Sequence, residues 1–139
     1  MSQIEINHKT HEFLNREPGL LAVIGTNGRD GHPLLVPVWY RWDDEAVLVW
    51  SLESRAWIQN ALRNPKVGVS VQEESAPQMA VIMRGTATVE TSDCLHIDDE
   101  IMRISQRYVP KESIPVYLRD WPELRTIVRI VPQRIFVWG

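Results

Sequence analysis

Short apolar runs separated by turn sequences constrain this chain more than any other feature. Residues 20–24 are an apolar run, and the turn formers of residues 27–31 separate it from a second run. That pattern predicts a β-hairpin. Short strands joined by tight turns favour a barrel or sandwich over a doubly wound sheet. The pattern predicts six strands, at about residues 20–25, 34–42, 46–52, 66–72, 79–90 and 126–138.

A few short helices interrupt the strands. Apolar spacing predicts helices over residues 8–17, 55–64 and 93–108, and Ser113 begins a further short helical pattern. Ser54 is expected to cap the second helix, whose buried face would hold Trp57, Ile58, Ala61 and Leu62. Pro37 and Pro132 each imply an edge, bulge or bend in their strands. The prediction is a mainly β fold with minor α content.

Length and charge narrow the class of protein. The 139 residues suit a single domain, 1–139. A net charge of −3 without a basic cluster argues against nucleic acid as a partner. No apolar run reaches membrane-spanning length, and the N-terminus lacks a signal-peptide core. The single Cys94 cannot form an internal disulfide. We therefore expect a cytoplasmic protein without membrane contact.

The sequence holds no recognisable acid–base or nucleophilic motif. It has neither a Gly-rich phosphate loop nor a Gly-x-Ser-x-Gly elbow. His8 with His11, and Cys94 with His96, lack the further ligands that a metal site needs. We predict no catalytic side chain and no metal, so any reaction would depend on a cofactor.

One stretch could bind an anion. Residues 51–55 join the third strand to the second helix and include Ser51, Ser54 and Arg55. The N–H groups of a helix start, a hydroxyl and a guanidinium fork can together hold a phosphate. A capping serine alone explains Ser54 equally well.

Two strands are apolar on both faces, in residues 34–39 and 47–50. A sheet that faces water on one side would alternate there. A covering helix or a second subunit would explain the pattern, and we favour a homodimer. Six tryptophans could fill the core or stack against a flat ligand.

Several short motifs, in this order, resemble the pyridoxamine 5′-phosphate oxidase-like split barrels. Asp30-Gly31-His32-Pro33 and the strand that follows it resemble that family's second strand, and Ser54-Arg55 with Asn60 resembles its cofactor helix. The resemblance spans roughly residues 12–139, continuing through Asn64-Pro65-Lys66-Val67, Arg84-Gly85-Thr86-Ala87 and Arg129 to Ile135. It implies a six-stranded antiparallel split β-barrel.

The resemblance also implies a function and a site. In that family, FMN or a deazaflavin coenzyme binds at the interface of a homodimer and transfers hydride to a small-molecule substrate. The second-strand backbone lies beside the ring, and the third strand and helix start face the phosphate. The residues implied here are Val36, Pro37, Val38, Ser51, Ser54, Arg55, Asn60 and, from the fifth strand, Met79. Without the C-terminal extension of true pyridoxamine phosphate oxidases, that particular reaction is not expected.

Trp57 is the ninth residue that the resemblance implies at the cofactor site, and it departs from the family pattern, which typically has a phosphate-binding lysine at this position. Losing a charge-assisted hydrogen bond removes about 1.5–3 kcal/mol, whereas stacking on an indole returns about 0.5–1.5 kcal/mol. Three hypotheses follow: a flavin or deazaflavin oxidoreductase, which we favour; a non-catalytic binder of a flat ligand such as a tetrapyrrole; and a vestigial site in a scaffold protein.

Overall fold

A curled antiparallel sheet dominates the computed structural model, which describes residues 5–91, 94–114 and 124–139. The strands are hydrogen-bonded in the order β2-β1-β5-β6-β7-β4-β3. The predicted mainly β fold is confirmed, although the sheet has seven strands instead of six. They are β1 (Ala22–Asn27), β2 (Pro33–Val38), β3 (Arg41–Trp42), β4 (Val47–Leu52), β5 (Lys66–Gln72), β6 (Ala80–Thr91) and β7 (Arg125–Trp138).

The extra strand arises because the predicted strand over residues 34–42 is split into β2 and β3. The backbone N–H of Tyr40 donates to the Tyr108 hydroxyl (3.1 Å), and its carbonyl accepts a hydrogen bond from Arg107. These side chains take the place of a strand partner at the break. Pro37 lies in β2, an edge strand of the sheet, as its missing N–H predicts.

The inner face of the sheet carries the main core. Val67, Val69 and Val71 of β5 are buried and alternate with less buried residues, and the strand has the predicted bounds. Helix α2 (Ala56–Arg63) packs on this face and buries Trp57, Ile58 and Ala61. Leu62, which the helical pattern places with them, is instead 52% exposed.

Strand β7 links the two halves of the sheet. Its first half pairs with both β4 and β6, and its second half continues along β6. The register shifts between Arg84 and Gly85, with Gly85 opposite Pro132. The predicted bend at Pro132 is therefore confirmed as a β-bulge, which lets one strand serve both halves.

Helix α3 (Cys94–Ser105) covers the outer face of β4 and β7. Its Ile97, Ile101 and Ile104 form a second core with Leu48 and Ile127. The two-sided apolar pattern of β4 is thus explained within the chain, by a helix. The outer side of β2 differs, since Leu35 there is 66% exposed.

The other helical segments are short. Helix α1 (His8–Leu14) is capped by Asn7, whose side chain accepts a hydrogen bond from the Thr10 N–H (2.9 Å), and a 3-10 turn spans Lys111–Ser113. Most of the helix predicted after Ser113 lies outside the described residues. Helices in the described ranges lack the combined length and hydropathy needed to cross a membrane.

Candidate functional site

An open cleft of about 600 Å³ lies between the end of β2, the end of β4 and the start of α2. Its volume falls within the usual range for small-molecule sites. Six of the nine residues predicted to bind a cofactor line it. The described lining residues are Leu21, Val36, Pro37, Val38, Trp39, Trp50, Ser51, Arg55 and Trp57.

The walls of the cleft are apolar, and three of the lining side chains are tryptophan indoles. Trp57 is only 4% exposed because it also belongs to the main core. Trp39 and Trp50 are half-buried and pack against the second core, under α3. The main core therefore fixes the Trp57 ring, and the second core supports the Trp39 and Trp50 rings. Rigid, flat, apolar walls of this kind suit a planar ligand.

Arg55 is the only charged side chain among the described residues that line the cleft. It is exposed at the N-cap of α2, and its backbone N–H donates to the Leu52 carbonyl (3.1 Å). Its guanidinium has neither an ion pair nor a hydrogen bond to any described residue. With no acceptor among the described residues, its five donors can bind an anion at the mouth of the cleft.

The capping role predicted for Ser54 is wrong. Helix α2 begins at Ala56, so Arg55 occupies the N-cap position, and its side chain makes no capping hydrogen bond. Ser54 is exposed one residue earlier and does not line the cleft. Ser51 does line it, and its carbonyl accepts a hydrogen bond from the Thr126 hydroxyl (3.1 Å).

Asn60 and Met79 lie away from the cleft. The Asn60 amide donates to the Thr26 hydroxyl (3.2 Å) and its oxygen accepts from Arg63 (2.7 Å), which ties α2 to β1. Met79 is buried in the main core, and its N–H donates to the Glu73 carboxylate (2.9 Å). Their predicted contacts with a cofactor remain predictions.

Sequence reasoning did not assign three lining residues, Leu21, Trp39 and Trp50, to the site. Trp39 follows β2 directly, and Trp50 stands on the doubly apolar β4. A two-sided apolar strand beside a candidate anion site was the available signal. The apolar pattern of β4 does not tell which face of the strand meets a ligand, because α3 covers part of the outer face.

A second pocket borders the cleft at Leu21. It holds about 410 Å³ and is more polar, with Arg16, Glu73 and Tyr108 among its lining residues. Arg16 donates to the Glu73 carboxylate (2.7 Å), and this bond is the main reason that the Glu73 pKa lies below its usual value. The acid is therefore engaged as a structural ion pair.

The cleft has no acid–base pair among its described lining residues, since Arg55 is its one titratable group. Among the described side chains, which are those of residues 5–91, 97–114 and 124–139, no three His, Cys, Asp or Glu gather as metal ligands would. What the arrangement can do is bind and orient a flat ligand that carries an anionic end.

The chain belongs to the pyridoxamine 5′-phosphate oxidase family, whose model matches residues 6–139. The predicted resemblance to that family is confirmed. No curated protein is significantly similar to the chain.

The solved structures that share the fold include the following three. A conserved hypothetical protein of Mycobacterium tuberculosis has a TM-score of 0.79 at 20% identity, over 100% of this chain and 90% of that one. HutZ, the heme storage protein of Vibrio cholerae, has a TM-score of 0.73 at 17% identity, over 96% and 95%. An F420 reductase has a TM-score of 0.65 at 21% identity, over 90% and 94%.

Proposed function

We propose that the cleft binds the ring of a flavin-type cofactor, FMN or a deazaflavin coenzyme, in an oxidoreductase that transfers hydride to a small-molecule substrate. The observation that supports this most is an indole-walled apolar cleft with a guanidinium at its mouth that makes no side-chain bond to a described residue. Family membership and the fold shared with an F420 reductase agree with it.

The residues present fit such a cofactor in two parts. Val36, Pro37 and Val38 offer an apolar edge for the ring, and Arg55 with Ser51 offers donors for its phosphate. Trp57 stands where a second cation would be expected, so the phosphate contact depends on Arg55. We expect binding to be weaker than with two cations, in the micromolar range or above.

The chain's own contribution is binding and orientation. A bound flavin or deazaflavin supplies the hydride chemistry itself. The indoles exclude water from the ring, and the β2 backbone fixes its edge. Arg55 anchors the anionic end, which sets the depth of the ring in the cleft.

We further propose that the protein is a homodimer with the cofactor at the interface. On the outer face of the sheet, Leu35, Phe136 and Trp138 are 66%, 40% and 72% exposed. The strand registers place all three on one face, where a second copy would bury them. Mass measurement of the native protein should give twice 16.1 kDa. A monomer at micromolar concentration would contradict the interfacial site.

The test of function is titration of the purified protein with FMN and with a deazaflavin coenzyme, followed by ring fluorescence. We expect saturable binding of one of them, weakened in Arg55→Ala and unchanged in Arg29→Ala. Arg29 is a matched control because it is an exposed arginine in the turn between β1 and β2, outside the cleft. Reduction of the bound ring by a nicotinamide or chemical reductant, and its reoxidation by a substrate, would establish turnover. Binding of neither cofactor would overturn the proposal.

A non-catalytic tetrapyrrole-binding protein is the second candidate. The observation that favours it is Trp57, because three indoles and a single cation suit a large apolar ring better than a phosphate. The shared fold of HutZ, a heme storage protein, agrees with it. Titration with protoheme separates the candidates. Trp57→Phe keeps an apolar ring in the main core and shortens the indole wall. If the tetrapyrrole is the natural ligand, this variant should weaken protoheme binding and leave FMN binding within about twofold.

A further inference from the structure

A stacked aromatic pair forms one wall of the cleft. The rings of Trp39 and Tyr108 lie with centroids 5.0 Å apart and planes only 4° from parallel. Trp39 lines the cleft, whereas Tyr108 lines the polar pocket beyond Leu21. The pair therefore separates the two pockets.

Hydrogen bonds to the backbone fix the hydroxyl end of the Tyr108 side chain. Its hydroxyl donates to the Leu20 carbonyl (2.7 Å) and accepts from the Tyr40 N–H (3.1 Å). Burial raises the pKa of Tyr108, so the hydroxyl keeps the proton that it donates. The position of the ring is thus fixed by backbone groups of two segments.

The surrounding backbone is built closely around this ring. A Cβ at Gly19 would lie 2.5 Å from the Tyr108 Cζ, a distance that real contacts do not reach. The Arg107 guanidinium lies 5.6 Å from the centre of the same ring. Tyr108 therefore has little freedom to rotate, and neither has the indole stacked on it.

From this geometry we propose that Tyr108 is a positioning residue for the cleft. It stacks on the Trp39 indole, which lines the cleft, and so presets the position of that wall as a platform for a planar ligand. Because the indole is already fixed before the ligand arrives, binding does not have to pay the entropy of immobilising this side chain. The inference rests on the proposed function, because it requires that a planar ring occupies the cleft.

The experiment compares FMN and deazaflavin binding in wild type, Tyr108→Leu and Tyr108→Phe. Tyr108→Leu should weaken binding about three- to tenfold, the usual worth of one aromatic stack. It should also reduce the quenching of ring fluorescence at saturation, a signature that reports stacking on Trp39. Tyr108→Phe keeps the ring and should bind within about twofold of wild type. If Tyr108→Leu does not fold, Tyr108→Met supplies the apolar volume without a flat face.

A double-mutant cycle decides whether the effect passes through Trp39. With Trp39→Leu in place, Tyr108→Leu should change affinity by less than about twofold, because the platform is already lost. Equal losses in both backgrounds, or unchanged quenching in Tyr108→Leu, would overturn the positioning role while leaving the proposed function intact. If wild type binds neither cofactor, the proposed function fails and this inference fails with it.

Discussion

Two arginines of this chain occupy opposite environments, at the cleft and at a buried cluster beside it. Arg55 is exposed at the cleft, with no described partner for its guanidinium. Arg107 has a side chain only 6% exposed, and it donates to the backbone carbonyls of Leu14, Arg16 and Tyr40. Its guanidinium also lies 4.6 Å from the centre of the Tyr40 ring.

The difference indicates what each cation does. Arg107 has its donors satisfied inside the protein, where it joins the end of α1 to the break between β2 and β3. We interpret it as structural. Arg55 has donors to spare beside apolar walls, an arrangement that stabilises nothing internally and suits an external anion. Function is thus expected where hydrogen-bonding capacity is left over.

Replacing the buried arginine should have the largest effect. Arg107→Leu removes the hydrogen bonds that the guanidinium donates to three carbonyls, although the Tyr40 hydroxyl still donates to Leu14 and the Tyr108 hydroxyl to Tyr40. A hydrogen bond from a charged group contributes about 1.5–3 kcal/mol. We expect a loss of at least about 3 kcal/mol in the free energy of unfolding, measured in urea. Arg107→Lys should recover only part of it, because an ammonium cannot match the guanidinium fork. A loss below about 1 kcal/mol would contradict the structural interpretation.

The same cluster predicts a dependence of stability on alkaline pH. Burial raises the pKa of Tyr40 to about 12, despite the opposing charge of Arg107. The unfolded chain loses this proton near pH 10, so the stabilising contribution is complete below pH 10 and disappears as pH rises toward 12. Stability should fall by at most about 1.4 kcal/mol per pH unit from this group. Tyr40→Phe should flatten the slope between pH 10 and 12, and an unchanged slope would remove Tyr40 as its source.

Asn60 tests the distinction between structural and ligand-binding side chains. The family resemblance places it at the cofactor, whereas in the structure its side chain bonds to Thr26 and Arg63. Asn60→Ala removes bonds to Thr26 and Arg63 and should cost about 1–2 kcal/mol of stability. Its effect on FMN affinity should stay within about twofold if the residue only ties α2 to β1. A tenfold loss of affinity at unchanged stability would restore Asn60 to the binding site. Leu62→Ala, on the exposed side of the same helix, is the control.

Local patterns predicted the parts of the fold that local forces determine. Strand β5 was predicted to the residue because its valines alternate without interruption. Apolar spacing predicts the helix over residues 93–108, of which α3 forms Cys94–Ser105, and the missing N–H of Pro132 predicts the bend. In each case the determinant lies within a few residues of its effect.

The parts that were not predicted depend on distant residues. The break at Tyr40 depends on Arg107 and Tyr108, nearly seventy positions away, whose side chains bind its backbone. Likewise Trp39 and Trp50 join the cleft because α3 supports them from the other side. The helix-start pattern located Arg55, the family resemblance implied the β2 edge of the cleft, and the curvature of the sheet brings them together with the indoles.

The most direct test of the account compares FMN with riboflavin, which has the same ring without the phosphate, in wild type and Arg55→Ala. If Arg55 meets the phosphate, the substitution should weaken FMN binding about tenfold or more and leave riboflavin binding unchanged. Arg29→Ala should alter neither affinity. If Arg55→Ala weakens both ligands equally, or neither, the guanidinium does not bind the phosphate and the assignment of the cleft is contradicted.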